Sequence, residues 1–472
     1  DSLSVLILFS RYNSFFMVKE MTEGSPFKLI FNFALPLILG SILQQTYSLI
    51  DAAIVGKYLG INSLAAVGAS TSVVFLIIGF CLGCCCGFGI PVAQTFGARD
   101  YKSMRRYISN SLWLALGISV FLMIVTSLLC HTILKQMQTP DEIFRDAYLY
   151  LLVTFIGIPF TFFYNLLSSI IRALGDSRTP FNFLILAAVL NILLDLFCIL
   201  VLDWGVMGAS IATVFSQAVS AILCFIYMFR KFPLLKMDAE DKRYDWHYAK
   251  GLLAMGLPMG LQVSITAIGS IMLQSANNAL GTTCVAAFTA AVRIKMFFIC
   301  PLENMGIAMA TYCGQNLGAG QLKRINWGVR ASFSMIIAYC LVCLVILYTA
   351  DKTLLLMFVS PEETEIINKA SQFLRISSTY YIPLGLLCIL RYSIQGLGFS
   401  RLAMLSGVFE MVDRVAVSLF LVPMLGYTGV CYGDPSAWLA ADVFLIPAFI
   451  LVHHRLARRR YRQQQACLQE AS

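Results

Sequence analysis

Charged side chains are scarce along this chain. Asp, Glu, Lys and Arg make up 12% of its 472 residues, against about 25% in an ordinary soluble domain, whereas 59% of its residues are hydrophobic. This balance excludes an ordinary soluble protein. It indicates an integral membrane protein.

Motifs for catalysis are also missing. The sequence contains no Walker motif, no H-E-x-x-H and no nucleophile elbow, and its four His residues lie in loops, at a helix end or in the tail. ATP hydrolysis by this chain is therefore excluded, and a membrane enzyme would need catalytic groups that the sequence does not offer. We expect no enzymatic activity and no cofactor.

Metal and phosphate sites are not indicated either. In "CLGCCCGFG", which starts at Cys81, the neighbours Cys84, Cys85 and Cys86 point in different directions around a helix and cannot converge on one zinc ion. The glycine-rich "GYTGVCYG" lacks the Lys-Ser/Thr pair of a phosphate-binding loop. We interpret the cysteines as small hydrophobic residues and the glycines as sites of close helix packing. No metal is expected beyond a Na⁺ ion.

Long apolar segments recur along almost the whole chain. A helix needs about 20 mostly apolar residues to cross a bilayer. Twelve such segments are predicted, at residues 29–55, 64–94, 109–130, 148–171, 181–202, 206–228, 252–279, 285–313, 329–349, 377–395, 404–424 and 432–452. The predicted fold class is an all-α integral membrane protein with 12 transmembrane helices.

Lys and Arg collect in alternate connections, as they do in cytoplasmic loops. Arg99 and Lys102 follow the second predicted helix, and "RLARRRYR" in the C-terminal tail lies on the same side of the membrane. Both termini are therefore predicted to be cytoplasmic. The net charge of +9 is an orientation signal and not a sign of nucleic-acid binding. Anionic membrane lipid is the expected partner of the basic tail.

The chain contains an internal repeat. A shift of 221 residues places Gln94 on Gln315, Gly97 on Gly318 and Lys102 on Lys323. Six helices per half is an even number, so both halves start on the same side of the membrane and form parallel repeats. Such duplications are typical of secondary transporters, whose site lies near the membrane midplane.

The repeat divides the chain into predicted domains. "MTEGSPFKLI" from Met21 has the pattern of a natural start, so the residues before it are interpreted as a non-native or disordered extension. The predicted units are an extension at 1–20, a first six-helix lobe at 21–229, a cytoplasmic linker at 230–250, a second lobe at 251–452 and a basic cytoplasmic tail at 453–472.

Two carboxylates stand inside apolar helices of the first half with no basic residue at the same depth. They are Asp51 in predicted helix 1 and Asp195 in predicted helix 5. A charge at the bilayer centre costs about 2.5–3.5 kcal/mol, so each must be protonated, bind a cation or face water. Tyr47 and Asn191 lie one turn before them and add oxygen atoms suited to H⁺ or Na⁺. The alternative is that these groups only hold helices together by hydrogen bonds.

The second half is balanced in charge instead. At the place that matches Asp51 it has Met272. Glu410 and Arg414, four residues apart on one helix, are predicted to pair. The basic residues within the predicted helices of this half are Arg293, Lys295, Arg391 and Arg414, and the acidic ones are Glu303, Glu410, Asp413 and Asp442.

Several polar residues allow two interpretations. Gln262, Gln274, Asn277 and Asn278 either line a central cavity or bond the basic residues of the second half. The repeated Gln94 and Gln315 either cap helices or form a gate. Arg293 is predicted to pair with an acidic residue, with a substrate contact as the alternative.

Four segments resemble the multidrug and toxic compound extrusion (MATE) transporters, most closely the bacterial DinF-like branch. They are "LPLILGSILQQTYSLIDAAIVGKYLGINSLAAVGAS" from Leu35, "VLNILLD" in predicted helix 5, "GVMGASIATVFSQ" from Gly205 and "GQNLGAG" from Gly314. The resemblance covers residues 21–455. It implies a V-shaped pair of six-helix bundles that rock in alternating access and export organic cations in exchange for H⁺ or Na⁺. It also implies a multi-pass protein of the bacterial inner membrane, for which we expect a monomer.

The resemblance also implies site residues. Asp51, Asn191 and Asp195 match the residues that serve the coupling ion in that branch, and Tyr164 and Thr213 are the candidates for a tyrosine of helix 4 and a threonine of helix 6. A sodium site of the NorM type in the second lobe is not expected, because Thr266 and Leu384 stand at its two acidic positions. The alternatives are a lipid-linked saccharide flippase, which calls for a cationic central cavity, and a channel.

Overall fold

The computed structural model describes residues 20–137 and 139–470. Within these ranges the chain forms helices joined by short connections, and it forms no β-strand. The predicted extension at residues 1–20 lies outside the described residues apart from Glu20.

Sixteen α-helices follow one another along the described chain. They are α1 (Pro26–Leu59), α2 (Ile61–Gly97), α3 (Tyr101–Gln136), α4 (Asp141–Ile156), α5 (Ile158–Ala173), α6 (Arg178–Leu200), α7 (Gly205–Lys231), α8 (Trp246–Asn278), α9 (Thr282–Gly318), α10 (Leu322–Thr349), α11 (Asp351–Leu355), α12 (Thr364–Thr379), α13 (Tyr381–Gly396), α14 (Ser400–Ala416), α15 (Val422–Leu425) and α16 (Tyr427–Glu470).

These helices give eleven candidate membrane crossings by length and composition in the described residues, and one further stretch corresponds to the remaining predicted segment. Nine of the helices in the described residues are long and apolar enough to cross alone. α4 with α5 and α12 with α13 form two further crossings, with bends of 47° and 51°. α14 continues through a π-helical turn, Val417–Leu421, into α15, and this stretch completes the set.

The tenth crossing starts earlier than the predicted segment 377–395. Its first part is α12, in which Ile367, Phe373 and Leu374 are buried while polar residues fill most of the other positions. An amphipathic helix of this kind produces no continuous apolar window, so hydropathy alone does not reveal it.

The helices extend into two of the predicted non-membrane segments, the linker and the tail. α7 ends at Lys231 and α8 begins at Trp246, so the linker without α-helix is shorter than 230–250. The last helix, α16, continues to Glu470 and includes most of the predicted tail 453–472.

The backbone repeats the duplication found in the sequence. Gly60 separates α1 from α2 with φ of 90°, and Gly281 separates α8 from α9 with φ of 102°. Gly175 and Gly398 follow α5 and α13, and both have φ of 90°. Only glycine adopts such angles without strain, so the same turns recur in both halves. We call α1–α7 the first lobe and α8–α16 the second lobe.

Each lobe has its own hydrophobic core, although Leu252 of α8 joins the first core and the start of α1 joins the second. The first core contains Phe88, Phe155 and Phe162 from α2, α4 and α5. The second core contains residues of α8 to α16, but it also takes in Ile30 and Phe33 from the start of α1. α1 therefore begins in the core of the second lobe and ends beside the helices of the first.

The lobes meet along a seam between α2 and α8. A methyl group on Gly83 would lie 2.6 Å from the carbonyl oxygen of Met259, and one on Gly87 would collide with Gly256 in the same way. The seam lies toward the ends of the helices near Arg99, Lys102, Lys231 and Lys323, which we call the basic end.

The two helices separate toward the opposite end. There, a methyl group added to Gly68 of α2 would have no atom within 4 Å. Ile268 and Ile271 of α8 are 44% exposed. The lobes thus enclose a cleft that is closed at the basic end and open at the other, which we call the interlobe cleft.

We expect Gly83→Ala to weaken the contact between the lobes. The added methyl group would press on the backbone of Met259, which cannot move aside as a side chain can, and overpacking of this kind costs about 1–3 kcal/mol. Spin labels on the two lobes at the basic end should show longer distances. Gly68→Ala is the matched control, since its methyl group meets nothing within 4 Å. Equal distance distributions in both variants would contradict this prediction.

Candidate functional site

The structure brings Asp51 and Asp195 together in the first lobe. α1 and α6 pack against each other, and the two carboxyl groups are close enough to hydrogen-bond when one of them carries a proton. Asp195 is fully buried. Within the described residues, both of its carboxylate oxygens and Oδ1 of Asp51 have no hydrogen-bond partner. No ion pair forms with either of them in this part of the chain, so the charge of the pair is not balanced by the protein.

An amide and a hydroxyl group extend this site. Asn191 is buried one turn before Asp195, and its Nδ2 donates to Oγ1 of Thr213 at 3.1 Å. The Thr213 hydroxyl in turn donates to the carbonyl of Ala209 at 3.1 Å, which fixes its orientation. Oδ1 of Asn191 is buried without a partner among the described residues. Together with the carboxylates it gives four buried oxygen atoms that are free to accept a proton or a small cation.

Two tyrosines stand beside the acidic pair. Tyr47 lies close to Asp51 and to Asp195, as its place one turn before Asp51 indicates. Tyr150 of α4 lies close to the same two carboxyl groups, and the sequence analysis did not include it.

The predicted helix-4 tyrosine, Tyr164, lies near Tyr47 and farther from the two carboxyl groups than Tyr150 does. It is buried in the core of the first lobe, and its hydroxyl faces the carbonyl of Pro180 at 3.5 Å. A signal in the sequence could have distinguished the two tyrosines. Asp51 and Asp195 lie near the ends of their helices away from the basic end, whereas Tyr164 lies in the half of its crossing that leads to the basic end. Depth along the crossing therefore favours Tyr150.

A chain of ion pairs runs through the second lobe. Lys295 Nζ lies 2.5 Å from Oδ2 of Asp434, and Arg414 Nε lies 2.9 Å from the other oxygen of that carboxylate. Arg414 also pairs with Glu410 at 3.5 Å, which confirms the predicted pair, and Glu410 receives a second bond from Arg391. The charges of the second lobe thus largely neutralise one another. The sequence analysis did not include Asp434, which joins two of the basic residues.

The remaining ionisable residues of the second lobe do not join this chain. Ser436 donates to Asp413 at 2.6 Å, and Oδ1 of Asp442 is buried without a partner among the described residues. Arg293 is exposed, and no acidic side chain of the described chain pairs with it, so the prediction of such a pair is wrong. Glu303 also forms no ion pair in this part of the protein.

Glu303 faces the interlobe cleft. It belongs to a row of residues spaced three or four apart along α9, which continues to Ile307 and Ala310. Those two residues line a small cavity together with Cys86 and Ala93 of α2, so the row is turned toward the first lobe. Glu303 is exposed although it lies in the middle of a crossing, because the cleft reaches it.

The predicted cavity residues are distributed differently. Gln395 donates to Oε1 of Gln262 at 2.9 Å, and both residues are buried. Asn277 is fully buried and donates to the carbonyl of Cys284 at 3.4 Å. Only the last of these residues, Asn278, is exposed, and it accepts a hydrogen bond of 2.9 Å from Gln274. None of them bonds a basic side chain of the described chain.

Gln94 and Gln315 link the lobes at the basic end. Nε2 of Gln94 in the first lobe donates to the carbonyl of Gly396, the last residue of α13, at 2.9 Å. Nε2 of Gln315 in the second lobe donates to the carbonyl of Ala173, the last residue of α5, at 2.8 Å. Each glutamine therefore bonds the end of the corresponding helix in the other lobe. This arrangement suits a gate that holds the basic end closed.

Comparisons with known proteins agree with this architecture. The MatE family model matches residues 36–197 and 254–420. The chain is 29% identical over 421 residues to the probable multidrug resistance protein YpnP of Bacillus subtilis (strain 168), which covers 89% of this chain and 94% of that protein. The probable multidrug resistance protein YoeA of the same organism is 26% identical over 442 residues, or 91% of this chain and 94% of its own length.

Solved structures show the same fold. A crystal structure of a MATE in complex with MaL6 superposes with a TM-score of 0.86 at 25% identity and covers 94% of this chain and 99% of that one. An outward-facing multidrug resistance MATE transporter gives a TM-score of 0.86 at 24% identity, with 93% and 98% covered. Since the family model matches more than half of the chain, the chain belongs to the MATE family and is a multi-pass multidrug efflux transporter.

Proposed function

We propose that this transporter is an H⁺- or Na⁺-coupled antiporter that exports organic cations by alternating access. The observation that carries the proposal is the group of four buried, unpartnered oxygen atoms on Asp51, Asn191 and Asp195. Without a basic partner, two adjacent carboxyl groups in an apolar surrounding favour the uptake of a positive ion. Tyr47, Tyr150 and Thr213 surround the ion in this proposal.

The ion enters from the side opposite to the basic end. The positive-inside rule places the basic end, and with it both termini, in the cytoplasm of a bacterial inner membrane. Asp51 and Asp195 lie toward the other end of α1 and α6, so the outside solution is nearer to them. Exchange of one H⁺ or Na⁺ for one monovalent organic cation moves no net charge, so the concentration gradient of the coupling ion drives it, and a tenfold gradient supplies about 1.4 kcal/mol, which is sufficient for roughly tenfold accumulation of substrate.

Ion binding acts on the lobes through α1. Neutralisation of the acidic pair changes how the end of α1 packs on α6, and the start of α1 is buried among residues of the second lobe. The crossed bonds of Gln94 and Gln315 then open or close the basic end. The transporter works as a monomer in this proposal, without nucleic acid and with no cofactor beyond the coupling ion.

The interlobe cleft offers a place for a cationic substrate. Glu303 supplies a carboxylate that faces the cleft and has no ion pair with described residues. Arg293 lies ten residues away on α9, about 15 Å along the helix and about 80° around it, so the two charges are well separated. This mixed surface does not favour the alternative of a lipid-linked saccharide flippase, which calls for a cationic cavity.

Transport in everted membrane vesicles, whose lumen corresponds to the outside of the cell, tests the coupling. A fluorescent organic cation is added outside, and a gradient of H⁺ or of Na⁺ with the higher concentration in the lumen is imposed separately, with the other ion equal on both sides. We expect one of the two gradients to drive transport and its collapse by the matching ionophore to stop it. Transport at the same rate without either gradient would refute ion coupling and favour a channel.

We expect Glu303→Gln to weaken the transport of permanently charged cations. Loss of the carboxylate should raise the KM for ethidium about tenfold, which corresponds to about 1.4 kcal/mol, and leave the KM for a neutral dye unchanged. Glu365→Gln is the control, because Glu365 is an exposed glutamate that pairs with Lys369 at 2.9 Å outside the cleft. An equal rise for neutral and charged dyes would contradict a role in cation recognition.

A further inference from the structure

A second apolar cavity lies on the outside of the molecule where the two lobes adjoin. It has a volume of about 430 Å³ and is enclosed by α1, α9 and α10. Phe27 and Phe31 of α1 form one wall and are 49% and 46% exposed. Met305 of α9 and Ala338 of α10 line the other walls. We call this space the lipid-facing groove, since these helices cross the membrane and the exposed walls are apolar.

The groove requires no hydrogen bond from an occupant. Only two polar side chains line it, and both are already bonded within the protein. Ser334 donates to the carbonyl of Ala331 at 2.8 Å, and the Tyr339 hydroxyl donates to the carbonyl of Phe298 at 2.9 Å. A hydrocarbon chain fits such a surface, whereas a polar molecule would lose its hydrogen bonds with water.

Basic residues flank the groove on the side of the basic end. Arg330 lies one turn before Ser334 on the same face of α10, and Lys28 follows Phe27 on α1. Both are exposed, and neither pairs with an acidic side chain in the part of the chain that the structure describes. They are therefore free to bind an anion outside the protein.

The position of Arg330 along its helix corresponds to the level of lipid headgroups. The residues from 331 to 349 carry no charge, and their length of about 28 Å matches the hydrocarbon thickness of a bilayer. Arg330 thus stands where the hydrocarbon begins. The exposed Trp327, one turn earlier, is typical of the same interface.

We propose that the lipid-facing groove binds one acyl chain of an anionic phospholipid, whose phosphate contacts Arg330 and Lys28. The lipid comes from the leaflet at the basic end. The start of α1, which forms one wall of the groove, packs in the core of the second lobe, so the bound lipid contacts the start of α1 together with α9 and α10.

Native mass spectrometry of the detergent-solubilised transporter tests this site. The protein is titrated with phosphatidylglycerol or with phosphatidylcholine of the same acyl chains. We expect one tightly retained phosphatidylglycerol per protein. Ala338→Trp, which fills the groove, should weaken retention of both lipids at least tenfold. Arg330→Gln should remove the preference for phosphatidylglycerol and leave the retention of phosphatidylcholine unchanged.

Two control variants separate this site from general effects. Val345→Trp adds the same bulk to an exposed position of α10 beyond the groove, and Arg401→Gln removes an exposed charge from α14. Both should retain phosphatidylglycerol as the unchanged protein does. Thermal melting of each variant confirms that it is folded. If Ala338→Trp retains the lipid, or if all four variants lose it equally, the proposal is wrong. A groove that retains a transported dye and no lipid would also overturn it.

Discussion

Asp195→Asn is expected to abolish ion-driven efflux. Asparagine has almost the shape of aspartate, but it cannot take up a proton and carries no charge to attract a cation. The substrate accumulation that the gradient of the coupling ion supports, roughly tenfold for a tenfold gradient, should fall to none. Asp51→Asn should have the same effect, and the double variant should be no worse, because the two carboxyl groups act as one site. Dye efflux from everted vesicles under the effective gradient measures this loss.

The loss should not result from unfolding. Asp195 is buried without a partner, so its replacement by a neutral amide removes a costly charge and should leave the melting temperature equal or higher. Asp413→Asn is the matched control, since this carboxylate is held by Ser436 in the second lobe. It should keep its coupled efflux. Gradient-driven efflux at the normal rate in Asp195→Asn would refute the assignment of the coupling site.

Glu410→Gln is expected to destabilise the second lobe strongly. Glu410 accepts bonds from Arg391 and Arg414, and all three residues are buried. A neutral amide leaves Arg391 without a charge partner among the described residues and leaves Arg414 with Asp434 alone, and removal of one member of a buried ion pair costs about 3–5 kcal/mol. The midpoint of thermal unfolding in lipid nanodiscs should fall clearly.

The control for this variant uses a surface glutamate. Glu365→Gln removes an ion pair with Lys369, which lies four residues further along α12. The side chain of Glu365 is 70% exposed. Such surface pairs contribute little, so its melting temperature should stay near that of the unchanged protein. Equal melting temperatures for Glu410→Gln and Glu365→Gln would show that the chain of ion pairs does not stabilise the lobe.

The sequence predicts the part of the candidate site that depends on charge alone. Asp51 and Asp195 stand in apolar helices with no basic residue of the first half at the same depth, and the structure brings them together. Tyr150 was not predicted, because the bend at Gly157 divides the fourth crossing, and only the depth of a residue along that crossing indicates which half faces the acids. Packing between helices, and not local pattern, determines that choice.

The second lobe shows a related limit. Asp434 lies near the start of the predicted segment 432–452, where a charge is expected to face water. In the structure α16 begins earlier, at Tyr427, so Asp434 is buried between Lys295 and Arg414. The hydrogen bonds of Gln94 and Gln315 could not be predicted from the sequence either, because their acceptors are backbone carbonyls at helix ends and no side-chain pattern indicates such acceptors.

The course of α1 has a consequence for how the protein is made. This helix is synthesised before the others, yet Ile30 and Phe33 near its start pack among residues of α9 to α16. Until those helices have entered the membrane, the start of α1 has only lipid as a neighbour. Folding of the first lobe therefore finishes only after the second has been inserted, and the two halves cannot mature as independent units even though each repeats the plan of the other.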